Sequence, residues 1–226
     1  LGDILDAGSG TGALARHLGA MYPKARVVGM DIAEAMLNRA KEMRGCQGTR
    51  LVAGDIEYLP LRGSSMDIVA SNLAYQWAED VDRAFSETYR ALKPGGYFVF
   101  STLADTTLFE LRETMKGCGD FPFIHFAGED VLSDSLKKAG FADIRIEKGF
   151  KRKTYKDLFA LLKTLKKVGA ANPCAGGKKT LGRGAPLKEA AKIYAERYPA
   201  AGKGGIIATY EVIFVAARKG EHGTNR

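Results

Sequence analysis

The sequence predicts an α/β fold, a mostly parallel sheet covered by helices on both faces. Strand and helix signals alternate from the first residues to about residue 150, the order that builds parallel sheets. A turn with three glycines follows the first strand directly, where a helix N-terminus can face a ligand. The 226 residues are 46% hydrophobic, enough for a full core and against a disordered chain.

Ile4-Leu5 ends the first strand, and Ala13 to Met21 reads as the first helix. Arg26 to Asp31 is a second strand closed by an acid, and Ala33 to Arg44 a helix whose Leu37, Ala40 and Met43 share an apolar face. Arg50 to Ala53 and Met66 to Ser71 are the third and fourth strands. A helix over Asp80 to Leu92 stops at Lys93-Pro94-Gly95-Gly96, and Tyr97 to Ser101 is a fifth, aromatic-rich strand. Glu129 to Ala139 is helical up to Gly140, and Asp143 to Glu147 alternates as a strand. Helices at Tyr155 to Val168 and Leu187 to Tyr198 flank a Gly/Ala/Lys-rich loop, Gly169 to Gly184, and Ile206 to Ala216 is the last of seven strands. The division that follows is a core over 1–149, a basic helical cap insertion over 150–205 on the substrate side, a final strand segment 206–219 and a polar tail 220–226.

Charge is unevenly distributed. Residues 1–150 carry a net −4 and residues 151–226 a net +12. A basic third on an acidic core points to an anionic partner, although lysines also serve simply to solvate helix faces. No apolar run approaches the ~20 residues of a membrane span, and no leader precedes the first strand, so a cytoplasmic protein is expected. Cys46, Cys118 and Cys174 form no C-x-x-C pair, which suits a reducing compartment and gives no metal site.

The run Asp6-Ala7-Gly8-Ser9-Gly10-Thr11-Gly12 marks a nucleotide-type site. Gly8-x-Gly10-x-x-Ala13 satisfies the dinucleotide fingerprint, and Asp31 stands about 20 residues on, where a ribose-binding acid belongs. Asp6 favours a different ligand. A carboxylate beside the cradle repels a pyrophosphate, whereas a sulfonium-bearing amino acid such as S-adenosylmethionine carries positive charge that suits it.

Taken together, Asp6-x-Gly-x-Gly-x-Gly12, the acid closing the second strand, Gly54-Asp55-Ile56 and Leu92-Lys93-Pro94-Gly95-Gly96 resemble the Rossmann-like class I S-adenosylmethionine-dependent methyltransferases. A narrower resemblance rests on Gly54 to Leu61, Ser71-Asn72-Leu73-Ala74-Tyr75-Gln76-Trp77, Ser101-Thr102-Leu103 with Thr107 to Leu111, and Leu161 to Ala170. These are similar to the malonyl-[acyl-carrier protein] O-methyltransferase family of biotin synthesis, and the similarity spans most of the chain. That family carries helices ahead of the first strand that help close the cofactor site, so part of the site is expected upstream of this sequence.

The resemblance implies S-adenosylmethionine as cofactor and S-adenosylhomocysteine as product. Gly8, Ser9, Gly10 and Gly12 would wrap the methionine end, with Asp6 toward its amino group. Asp31, which can also cap the helix from Ala33, and Ile32 would meet the ribose. Asp55 and Ile56 would flank the adenine, with Met36, whose helical spacing also suits a core residue. Asn72 and Leu73 close the fourth strand near the reacting methyl, and Gln76 and Trp77 follow at the substrate. The implied acceptor is the free carboxylate of a malonyl thioester, already a nucleophile at neutral pH, so no catalytic base is required. His17 and His125 have no evident partner. The implied partner is an acidic acyl-carrier protein docked on a basic cap that includes Lys151, Arg152, Lys153, Lys163, Lys166, Lys167, Lys178, Lys179 and Arg183. Nucleic acid is disfavoured, because few aromatics interleave these cations. Rival readings are a methyltransferase for a quinone-ring carbon or another carboxylic acid, a non-catalytic cofactor-binding module, and an NAD-dependent oxidoreductase.

Overall fold

A computed structural model describes residues 2–43, 49–116, 126–167, 185–202 and 204–221. The chain divides into two compact units. The first comprises the described residues within 1–103, 127–148 and 213–226, and the second those within 104–126 and 149–212.

Seven strands form one sheet: β1 (Asp3–Ala7), β2 (Arg26–Asp31), β3 (Arg50–Ala53), β4 (Met66–Asn72), β5 (Leu92–Leu103), β6 (Phe141–Tyr155) and β7 (Ile206–Lys219). Their order is β3-β2-β1-β4-β5-β7-β6. The pairs β1–β2, β1–β4, β2–β3 and β4–β5 are all parallel. Gly95 N donates to Gly220 O and Lys219 Nζ to Leu92 O. The end of β7 therefore meets the start of β5, and the two strands run antiparallel. The chain order reverses between β1 and β4, and at such a switch point the carboxyl ends of the strands open a crevice for a ligand.

The inner strands are apolar where packing covers them, whereas β6 is exposed along most of its length. Ile4 and Leu5 are fully buried, as are Val69 and Phe98. The helices of the first unit are α1 (Ala13–Met21), α2 (Glu34–Glu42), α3 (Val81–Ala91) and α5 (Glu129–Ala139); those of the second are α4 (Phe109–Met115), α6 (Leu158–Lys167) and α7 (Ala185–Arg197). Helix α3 shows how sequence sets an element. Asp80 caps it by accepting from Arg83 N at 3.0 Å, and Ala84, Phe85, Thr88 and Ala91 make one buried stripe. Phe85 meets Phe98 at 5.6 Å between centroids, and Tyr75 meets Phe98 at 4.9 Å. This aromatic cluster, worth on the order of 1 kcal/mol per ring pair beyond its area, fixes a 3-10 turn over Tyr75–Trp77. The Tyr75 hydroxyl is paired with Thr88 Oγ1 at 2.5 Å, and burial pushes its pKa up.

Several local expectations differ from what is found. The strand expected over Asp143 to Glu147 runs from Phe141 to Tyr155 as β6, so Lys151, Arg152 and Lys153, expected in a helical cap, lie on a strand. Strand β5 begins at Leu92, ahead of the Pro-Gly-Gly turn, and Lys93–Gly96 forms an irregularity in its pairing, with Met66 opposite Leu92 but Ile68 opposite Tyr97. Tyr155 closes β6 and does not open a helix; Asp157 accepts from Ala160 N at 2.8 Å and starts α6 one residue later. Helix α4 has no side-chain cap and follows Leu108 at φ 58, so nothing local announces it. The loop from Gly169 to Gly184 lies outside the described residues.

In the second unit, Leu111, Leu158 and Leu161 of α4 and α6 pack with Tyr194 of α7 in a closed apolar cluster. Glu110 is buried there and accepts from both the amide and the hydroxyl of Thr209.

Candidate cofactor cleft

The turn after β1 is shaped by its glycines. Gly8, at φ 74, lies so close to Ala74 that a Cβ would stand 2.1 Å from the Ala74 Cβ. Both Gly8 N and Ser9 N donate to Met30 O at 2.8 Å, which fastens the turn to β2. At the end of β2, Asp31 Oδ2 accepts from Gly10 N and Oδ1 from Ala33 N, each at 2.8 Å. After β3, Asp55 Oδ1 accepts from Glu57 N at 2.9 Å in a tight turn. Gly54 lets this segment pass Met30 and Pro60, whose atoms would lie 2.8 and 2.9 Å from a Cβ.

These ends enclose a cleft of about 570 Å³, within the range of small-molecule sites. It is lined by Gly8, Gly10, Asp31, Ile32, Met36, Asp55, Ile56, Leu73 and Trp77 among the residues singled out in the sequence. Ile32, Met36 and Trp77 are 72%, 43% and 46% exposed. Apolar side chains standing open around one cleft are suited to a flat apolar ligand.

Other expected residues lie elsewhere. Gly12 is the αL residue ahead of α1. Asp6 and Ser9 are 1% and 7% exposed, and Asp6 Oδ2 and Ser9 Oγ are buried without a hydrogen-bond partner. Asn72 Oδ1 accepts from Ser101 Oγ at 2.7 Å, and Asn72 lines a separate hollow together with His17. Gln76 Oε1 accepts from Leu103 N at 3.1 Å. Cys46, Cys118, Cys174, His125, Lys178, Lys179 and Arg183 lie outside the described residues.

Glu57, Tyr58, Ala74 and Glu79 line the cleft without having been singled out. The first two lie in the Gly54-to-Leu61 run and Ala74 in the Ser71-to-Trp77 run that carried the family resemblance, so for these three only their roles were missed. Ala74 has no chemical signal; its place beside Gly8 is a packing fact.

The electrostatics have one sign. Asp31, Asp55, Glu57 and Glu79 line the cleft, and no Lys or Arg is among its described lining residues. Burial pushes the Asp6 carboxyl up to about 7; the Ala15 amide opposes this and the charge of Asp31 adds to it. Such a site favours a cation over a pyrophosphate. Asp6 Oδ2 and Ser9 Oγ are left without a partner, but neither residue lines the cleft, and the Ser9 side chain packs against Gly29. Among the described residues no cluster of His, Cys, Asp and Glu could hold a metal ion, and no helix is long and apolar enough to cross a membrane.

The family described as "Methyltransferase domain" matches residues 5–100. The chain is 39% identical, over 99% of its length and 79% of the relative's, to a malonyl-[acyl-carrier protein] O-methyltransferase of Gallionella capsiferriformans. A protein of the same name from Geobacter sulfurreducens is 34% identical over 96% of this chain and 83% of its own. Among solved structures, the YcgJ protein of Bacillus subtilis matches with a TM-score of 0.68 at 18% identity, covering 97% of this chain and 92% of that one. A phosphoethanolamine N-methyltransferase of Haemonchus contortus, solved with S-adenosyl-L-methionine, matches with a TM-score of 0.60 at 22% identity over 96% of this chain and 48% of its own.

Proposed function

The chain belongs to the malonyl-[acyl-carrier protein] O-methyltransferase family, and from that premise we propose that it methylates the free carboxylate of malonyl-acyl-carrier protein in biotin synthesis. When bound, S-adenosylmethionine supplies an electrophilic methyl group and leaves as S-adenosylhomocysteine. The observation that supports this cofactor most directly is the cleft lined by four carboxylates and no cation among its described residues.

In this reading the glycine loop carries the methionine end, with Gly8 and Gly10 close to the ligand and Gly12 and Ser9 shaping the turn. Asp6, which does not itself line the cleft, serves the amino group through water. Asp31 has lone pairs left for the ribose hydroxyls after accepting from Gly10 and Ala33. Asp55 accepts from the adenine amine, while Ile56, Ile32 and Met36 wall its ring. Leu73 and Trp77 border the methyl, and Asn72 and Gln76 hold β5 there through the Ser101 hydroxyl and the Leu103 amide. The chain has to align an oxygen that is already anionic and to exclude water, which positioning side chains can do without a general base.

We assign the acyl-carrier protein to the basic cap, 150–205. Lys151, Arg152, Lys153, Lys163, Lys166 and Lys167 are exposed, and none pairs with an acid among the described residues. An acidic carrier docked there is a soluble partner, which suits a cytoplasmic enzyme.

The test is methyl transfer from labelled S-adenosylmethionine to malonyl-acyl-carrier protein, with the acetyl form as control. Label is expected in the malonyl form alone. Transfer to both or to neither overturns the substrate assignment.

A further inference from the structure

We propose that Glu57 is a positioning residue whose carboxylate clasps the two walls of the cofactor cleft and sets their separation. One wall is the loop from Gly54 to Tyr58, the other the segment from Leu73 to Glu79. Glu57 Oε1 accepts from Glu79 N at 2.6 Å and from Asp80 N at 3.2 Å. These amides precede α3, so a carboxylate there also meets the positive end of the helix. The far end of the loop is tethered separately. Leu59 N donates to Glu87 at 3.0 Å, and Arg90 donates to Leu59 O at 3.0 Å and Leu61 O at 2.8 Å. The Tyr58 ring lies under Arg83 at 4.7 Å, outside the hydrogen-bonded clasp. With the loop fixed at Leu59–Leu61, the clasp governs the part that carries Asp55, Ile56 and Tyr58.

Reach and charge are separable in this residue. Gln at 57 keeps an acceptor oxygen at the same distance without the charge. Asp keeps the charge but is one methylene too short to meet both amides. If Glu57 acts as a clasp, Gln should work and Asp should fail; if it merely adds negative charge for a cationic ligand, the order reverses. The proposal rests on the S-adenosylmethionine reading, and calorimetric titration of S-adenosylhomocysteine into wild type tests that reading first. No binding by wild type refutes the cofactor.

Given wild-type binding, Glu57→Gln is expected to stay within about threefold of wild type and Glu57→Asp to lose about tenfold, the scale of one hydrogen bond. The same split should appear in KM for S-adenosylmethionine and not in KM for the acceptor. Equal binding by all three proteins, or tighter binding by Glu57→Asp than by Glu57→Gln, overturns the clasp. Loss of cooperative unfolding in Glu57→Asp also overturns it, by making the residue a folding element.

Discussion

The amide of Gly10 donates to Asp31 Oδ2 at 2.8 Å, so the acid that closes β2 also holds the glycine loop that follows β1. With Oδ1 taking the Ala33 amide, one carboxylate joins two strand ends and the entry to α2. Asp31→Ala should therefore disorder the loop as well as remove a ribose acceptor. A loss of roughly 10- to 100-fold in S-adenosylhomocysteine affinity is expected by calorimetry. Affinity within twofold of wild type would exclude Asp31 from the cofactor site.

Cofactor binding should depend on pH through Asp6. Its carboxyl titrates near 7 in the free protein, and a ligand ammonium pairs only with the ionised form. Affinity should rise as pH is raised from 6 to 8 and level off above, with proton release on binding near neutrality. Asp6→Asn should bind weakly with no slope over that interval. A wild-type profile flat from 6 to 8 contradicts the assignment.

The same group should shape stability in the opposite direction. Its folded pKa is raised from 3.8 to about 7, so the folded state holds this proton more tightly than the unfolded chain does. That contribution is fully present below the unfolded value and is lost as pH rises through 7, an effect on the order of a few kcal/mol. Without ligand, Asp6→Asn should thus melt above wild type at pH 8 and near it at pH 4. A variant less stable at pH 8 would show that the ionised carboxylate is satisfied.

Gly8→Ala should be severe, for two reasons that can be separated. Its Cβ would fall 2.1 Å from that of Ala74, and φ 74 is strained for any side chain. Removing the Ala74 methyl in a Gly8→Ala/Ala74→Gly double variant relieves only the clash. The double variant should recover part of the melting temperature lost, leaving the αL cost of about 1–2 kcal/mol. No recovery would mean that the 74 segment yields freely.

Leu73 stands at φ 56 in the cleft, held by its own amide to Ser101 O at 3.0 Å and flanked by the Asn72–Ser101 bond. Strain of this kind costs about 1–3 kcal/mol and persists where neighbours enforce it. Leu73→Asn, which tolerates that conformation, should raise the melting temperature by a few degrees while lowering kcat/KM. A variant that loses stability, or that keeps full activity, refutes a functional strain.

Reversing Lys163, Lys166 and Lys167 to Glu should raise KM for malonyl-acyl-carrier protein about tenfold or more, with a weaker effect at high salt. A malonyl-coenzyme A substrate should be much less affected. Equal effects on the two substrates would remove the docking role.

The sequence by itself determined the order of strands, most helices and the acids and glycines at the strand ends, because those follow from near-neighbour propensities. Apolar runs, an Asp80 cap and a Gly8–Gly10 turn act within a few residues. Only the tertiary structure decided which polar side chains face the cleft and which are spent internally. Asn72 is paired with Ser101, 29 residues away, Gln76 with Leu103, 27 away, and Glu57 with Glu79, 22 away. No periodicity encodes such pairings. They arise when the sheet order brings β4 beside β5 and α3 beside the loop after β3, and a buried polar atom takes the partner that packing places within reach. The early strand ends were legible for the opposite reason: their acids and glycines answer to the backbone turn they sit in.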